Sequence, residues 1–159
     1  MNGFEKQKRE AFMTAYNAIN TNFTDIYHQL SEGEGKLILE NEKDPLSGGM
    51  TIEAKPRDKV TNNKLSALSG GEKALTALAL VLSIQKYLPA PFYALDEVDA
   101  SLDAMNVERI AEMIKKQSND TQFLVVTHKP QMVAEAHRVI GVTQKKKGKT
   151  KVTGIQNNE

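Results

Sequence analysis

Two short apolar runs in the second half of the chain constrain its fold most: Phe92-Tyr93-Ala94-Leu95 and Phe123-Leu124-Val125-Val126-Thr127. Both have the length of buried strands, and a helical pattern separates them. Val107, Ile110, Ala111 and Ile114 predict an amphipathic helix from Asp103 to Gln117. Before the first run, Leu75, Leu78, Leu80, Val81, Leu82 and Ile84, with alanines between, make Gly71 to Leu88 apolar nearly all round. Such a helix is expected to be buried on most sides, and Pro89 and Pro91 end it. A helix from Pro130 to about Ala136 follows the second run, and Val139 to Thr143 with Lys151 to Ile155 read as a closing hairpin around Gly148. Strands alternating with helices predict an α/β fold with a partly parallel sheet flanked by helices.

The first half reads differently. Phe4, Phe12, Tyr16, Ile19, Phe23, Ile26, Tyr27 and Leu30 line one face of a single helix over residues 1–30. Its start is polar all round, as in a helix leaving the globule, and Gly33 and Gly35 are expected to end it. Lys36 to Glu40 and Met50 to Lys55 read as strands, Pro56 stops the second, and Asp58 to Lys64 reads as a polar loop. The 159 residues suit one domain. Basic and acidic side chains nearly cancel at 21 against 20, so no global charge argues for nucleic acid. Five of the bases crowd into Lys145, Lys146, Lys147, Lys149 and Lys151, which leaves 16 against 20 elsewhere. Zero cysteines exclude disulfide and thiol chemistry and suit a reducing cytosol. No apolar run reaches the roughly 18 residues of a membrane span, and Asn2 to Glu10 is too polar for a signal peptide.

Three stretches carry chemical potential. In Leu68-Ser69-Gly70-Gly71-Glu72-Lys73, Ser69 and Glu72 have capping-box spacing. The two glycines also leave backbone amides unshielded at a positive helix end, where an anion can approach. Leu46-Ser47-Gly48-Gly49 repeats the tetrapeptide, but a strand follows it, so it reads as a turn without a ligand. Phe92 to Glu97 ends a strand in two carboxylates, Asp96 and Glu97. These are either acids emerging into solvent or, as in phosphate-handling folds, one that helps hold Mg²⁺ and one that orients or deprotonates water. His128 ends the other strand, where ligands bind in open α/β sheets. A satisfied polar residue is the plainer alternative there. His28 and His137 lack such a context.

Taken in order, these stretches resemble the ABC-type ATPase head, and specifically its C-terminal half in the SMC (structural maintenance of chromosomes) family of prokaryotes. Leu68 to Lys73 resembles the signature motif, Phe92 to Glu97 the Walker B strand, Val98 to Asp103 the D-loop, and His128 the switch histidine. Ala74 to Leu80, Ile84 to Tyr87, Pro89 to Tyr93, Thr121-Gln122-Phe123 and Gly141-Val142-Thr143 are typical of SMC proteins. No Gly-x-x-x-x-Gly-Lys-Ser/Thr loop is present. The resemblance therefore implies a piece of a longer polypeptide. Residues 1–30 would be a neck helix at the end of the returning coiled coil, and residues 31–159 a C-terminal lobe of the head. Its cofactors would be ATP and Mg²⁺, with Asp96 at the metal through water, Glu97 and His128 catalytic, and Ser69, Gly70 and Gly71 contacting nucleotide on an opposing head. Asp99 and Asp103 would lie on the seam between heads.

The implied partners are the N-terminal Walker A lobe, a second SMC head in a homodimer, a kleisin subunit, and DNA through the full complex. The implied setting is the cytoplasm, at the nucleoid, in chromosome condensation and segregation. Two readings compete: the head of a DNA-repair relative such as the RecN type, and a fragment acting mainly as a kleisin-binding module. The Lys145 to Lys151 cluster reads as a solvated hairpin tip or, alternatively, a DNA contact.

Overall fold

The computed structural model describes residues 3–57, 59, 61, 63–145 and 148–156. A 29-residue helix, α1 (Gly3–Ser31), opens the chain. Its first turns are exposed, with Phe4 at 76%. Further along, Phe23, Ile26, Tyr27 and Leu30 are buried in the core. Four such burials, at about 1.5–3 kcal/mol each, anchor one end of the helix, while toward the other end Arg9 Nη2 donates to the Lys43 carbonyl at 3.1 Å.

A second, polar row runs along α1 at four-residue spacing. The Tyr16 hydroxyl donates to the Leu37 carbonyl at 2.8 Å, and Asn20 Oδ1 accepts from Leu37 N at 2.8 Å. Thr24 donates to the Gly35 carbonyl at 3.0 Å, and His28 Nδ1 lies 3.0 Å from the Gly33 carbonyl. Their target is β1 (Glu34–Leu39), the edge of an antiparallel sheet with β2 (Met50–Lys55) and the two-residue β3 (Asn63–Lys64). The helix covers an edge that would otherwise present unpaired backbone. This close approach requires glycine at position 35, where a Cβ would stand 2.7 Å from the Tyr27 ring. β3 lies in the stretch expected to be a polar loop, of which Asp58, Val60 and Asn62 fall outside the described residues.

The helix does not end on a left-handed glycine. That conformation falls on Glu32, with φ 53°, whose carboxylate is gripped by Arg57 and by Arg109 Nη2 at 2.5 Å. Arg109 also donates to the Leu30 carbonyl at 3.2 Å. Two guanidinium groups thus hold an unfavourable turn in place.

After a 3₁₀ turn (Leu65–Ala67), α2 (Gly70–Tyr87) packs against α1. Its Leu75, Leu78, Ala79 and Leu82 join the α1 residues in one cluster. Val81, Ile84 and Tyr87 are 39–44% exposed, so the expectation of burial on most sides is corrected: among the described residues, one flank of α2 is only partly covered. The same correction applies to the parallel pair β4 (Phe92–Asp96) and β5 (Gln122–Val126). Leu95 is buried, and Phe123 and Val125 pack on the core with α3 (Ala104–Gln117) and α4 (Pro130–Ala134). Phe92, Leu124 and Val126 on the other face are 51–55% exposed. The period-two alternation of a strand puts every second side chain on a face that the described residues leave about half open. The antiparallel hairpin of β6 (Arg138–Lys145) and β7 (Lys149–Gln156) closes the chain as expected.

Replacing Asn20 with alanine leaves Leu37 N–H without its acceptor and should destabilise the fold by about 1–3 kcal/mol in urea titrations. Asn17→Ala, on the exposed side of α1, should change it by less than about 0.5 kcal/mol.

Candidate functional site

Two groups of residues carry the chemistry, and the loop from Glu97 to Asp103 touches the first of them where its Ser101 carbonyl approaches Gly71. The first is the start of α2. Ser69 caps the helix in extended conformation and forms a complete capping box. Its N–H donates to Glu72 Oε2 at 2.7 Å, and its Oγ accepts from Glu72 N at 3.4 Å. Lys59 Nζ reaches the same carboxylate oxygen at 2.9 Å. Burial pushes the Glu72 carboxyl upward, but the Lys59 ammonium and the Ser69 amide and hydroxyl outweigh it and hold the group below the ordinary carboxylate value. Gly70 has open space where a side chain would stand, whereas a Cβ on Gly71 would come within 3.2 Å of the Ser101 carbonyl. Nothing described in this chain requires position 70 to be glycine.

The other Leu-Ser-Gly-Gly copy is a turn, as expected. The Ser47 hydroxyl donates to the Asp44 carbonyl and accepts from Asn41 Nδ2, while Gly49 N donates to Glu40 Oε2. Its polar groups are used locally.

The second group sits at the ends of β4 and β5. Their in-register pairing sets Asp96 beside Val126, with Asp96 exposed. Glu97 follows in the left-handed region, φ 48°, and its N–H donates to the Val126 carbonyl at 2.9 Å. A non-glycine residue held there is strained, as residues at functional sites often are. Its Oε1 lies 3.1 Å from His128 Nε2, and the side chains are 51% and 87% exposed. A carboxylate and an imidazole in contact, both open to solvent, can exchange protons with an incoming water or hold it in place.

Asp99 and Asp103, expected on a seam between heads, are engaged inside this chain. Asp99 is 1% exposed and accepts a hydrogen bond from the Thr127 hydroxyl. A buried carboxylate needs such a donor. Asp103 caps α3, accepting from Asn106 N at 2.9 Å and Asn106 Nδ2 at 2.7 Å. Thr127 and Lys59 were not singled out in the sequence. The signal for Thr127 was its place before His128, and Lys59 had none. Of the basic cluster, Lys149 and Lys151 are exposed on β7, whereas Lys146 and Lys147 lie outside the described residues.

Among the described residues no group of three or more His, Asp or Glu side chains could hold a metal ion. Asp96 offers one exposed carboxylate, which fits a cation whose remaining ligands are water or phosphate oxygens. No helix of the described residues is long and apolar enough to cross a membrane.

A mixed α/β lobe with a half-open sheet face, a helix that opens on two glycines and a strand that ends in two carboxylates is the kind of unit found in ATPase head domains. Residues 4–151 match the family described as RecF/RecN/SMC N terminal domain, and the chain belongs to it. That description names an N-terminal domain, so the expectation of a C-terminal half is not carried by it. The chromosome partition protein Smc of Pyrococcus furiosus is 49% identical over 156 residues, covering 98% of this chain and 13% of that protein. Smc of Gloeobacter violaceus is 49% identical over 149 residues, 94% of this chain and 13% of its own length. The chain thus spans a small part of these relatives. A solved Smc head with an extended coiled coil, bound to the C-terminal domain of ScpA, also from P. furiosus, has TM-score 0.91 at 49% identity and covers 98% of this chain and 39% of that one. A structure from work on ATP-driven dimerization and DNA stimulated activation of SMC ATPases has TM-score 0.85 at 48% identity, covering 92% of this chain and 89% of that one.

Because the folded state lowers the Glu72 affinity for protons, this contribution to stability is present above pH 4.5, the ordinary value, and fades as pH falls through the lower folded value. Glu72→Gln should cost about 1 kcal/mol at pH 7, and the gap from wild type should shrink in denaturation series run below pH 4.5.

Proposed function

We propose that this chain is the signature-bearing lobe of an SMC-type ATPase head, the C-terminal half by the order of its motifs, and that with a Walker A lobe it hydrolyses ATP to ADP and phosphate. The observation that carries the reading is the open end of β4 and β5. Parallel strands are normally covered on both faces, yet here Phe92, Leu124 and Val126 are exposed and lead to Glu97 and His128 at the rim. A lobe that supplies the missing cover would bring its nucleotide to that rim.

When bound, MgATP supplies the transferable phosphoryl group. Asp96 would hold the metal through water. Glu97 would accept a proton from the attacking water or orient it, with His128 steadying the same region. Ser69, Gly70 and Gly71 would point the start of α2 at nucleotide held by a second head. The open space at Gly70 supports that role, since the absence of a side chain there has no use within the chain. Two heads closing on ATP and parting after hydrolysis would serve chromosome condensation and segregation in the cytoplasm, at the nucleoid, with a homodimer as the simplest assembly and DNA engaged through the full complex. A kleisin subunit is a further expected partner. The exposed Ile140, Val142, Val152 and Ile155 on the hairpin support docking of a protein, and relatives solved with ScpA domains support its class.

In the full-length protein, Glu97→Gln keeps the shape of the side chain but cannot take a proton at neutral pH. Phosphate release should fall about 10²- to 10⁴-fold, while ATP-dependent head dimers persist in light scattering. Wild-type turnover in this variant would sink the assignment. Gly70→Ala should leave this chain's thermal midpoint unchanged or slightly raised, as expected for glycine to alanine without strain. In the full-length protein it should suppress ATP-dependent dimerisation. Undiminished dimerisation would remove the role given to the start of α2.

A further inference from the structure

We propose that Thr127 is a positioning residue that locks His128 to the loop of Asp99. The proposal rests on the ATPase reading above and deepens it. The Thr127 hydroxyl is used twice: it donates to Asp99 Oδ2, and its oxygen accepts from Lys129 N at 2.9 Å. These two bonds pin the backbone on either side of His128. The His128 side chain is itself 87% exposed, and among the described residues it meets Glu97. Packing therefore does little to set its direction, and the adjoining backbone does most.

Asp99 is 1% exposed and lies 28 residues away in sequence. It belongs to the loop that follows Glu97, tied by Ala100 N to the Glu97 carbonyl at 3.1 Å and by Leu102 N to the Asp99 carbonyl at 3.1 Å. The same loop presents the Ser101 carbonyl against Gly71. A hydrogen bond between a hydroxyl and a buried carboxylate is charge-assisted and stronger than a neutral one. It links the loop that follows Glu97, and that approaches Gly71, to the backbone beside His128. A shift of the Asp99 loop is passed to His128 through this hydroxyl.

The test uses steady-state ATPase kinetics of the full-length protein. Thr127→Val keeps the shape and removes the hydroxyl, whereas Thr127→Ser keeps the hydroxyl. The valine variant should lower kcat about 10- to 100-fold, the rate equivalent of losing a hydrogen bond to a charged group, with KM for ATP within about twofold, since a positioning role acts on the reacting geometry. Serine should restore kcat to within about threefold of wild type. In a His128→Ala background, Thr127→Val should cost nothing further, because its effect passes through the imidazole. If the valine variant does not fold, Thr127→Ala, which also removes the hydroxyl, takes its place in the same cycle.

Unchanged kcat in the hydroxyl-less variant, a loss that multiplies with His128→Ala, or a serine variant as slow as the valine would each overturn the proposal. Glu97→Gln run alongside separates the two ideas. If it abolishes turnover while Thr127→Val does not, only the positioning role falls. A wild-type protein without ATPase activity would remove the ATPase reading and this proposal together.

Discussion

The row of Tyr16, Asn20, Thr24 and His28 along α1 is the interaction on which the rest of the lobe depends. β1 is an edge strand, and an edge strand needs a partner for its backbone. The helix supplies one side chain per turn, and each meets a backbone group between Gly33 and Leu37. The adjacent stripe of Phe23, Ile26, Tyr27 and Leu30 enters the core shared with α2. A single helix is thereby fixed to a sheet on one side and to α2 on the other, and α2 carries Ser69 to Gly71 at its start. Any reorientation of α1 strains both contacts.

The Arg57–Glu32–Arg109 ion pairs extend this frame to α3. Glu32 is held left-handed where the helix meets the sheet, and Arg109 reaches it from the same helix that Asp103 caps. The start of α2, the end of α1 and the start of α3 therefore converge on one cleft of about 530 Å³ lined in part by Glu32, Glu72, Asp103 and Arg109. The loop from Glu97 to Asp103 enters α3 there. The backbone of that loop leads from this cleft back to Glu97.

Beyond that frame, the rim at Asp96, Glu97 and His128 is exposed, and the outer face of β4 and β5 is about half open among the described residues. Exposed apolar side chains on a parallel sheet are costly in water. Together with Glu97 in its left-handed conformation, they set this face apart from the rest of the lobe.

The sequence by itself determined the elements, because apolar spacing at 3.6 or 2 residues is a local property. The α1 stripe, the α2 and α3 helices, the β2, β4 and β5 strands and the Ser69 capping box were all legible, as was the inert turn at Ser47. Glu97 and His128 were named from their strand ends, and the register of β4 on β5 does bring them together. Only the tertiary structure decided which faces meet. It left one face of the parallel pair and one flank of α2 open, where the local pattern had implied burial. It placed the left-handed turn on Glu32, where two arginines distant in sequence hold the carboxylate, and used Gly33 for a close approach to the Lys55 carbonyl. It also turned Asp99 inward to Thr127. These outcomes depend on contacts between residues 25 to 77 positions apart, and spacing along one segment carries no information about them.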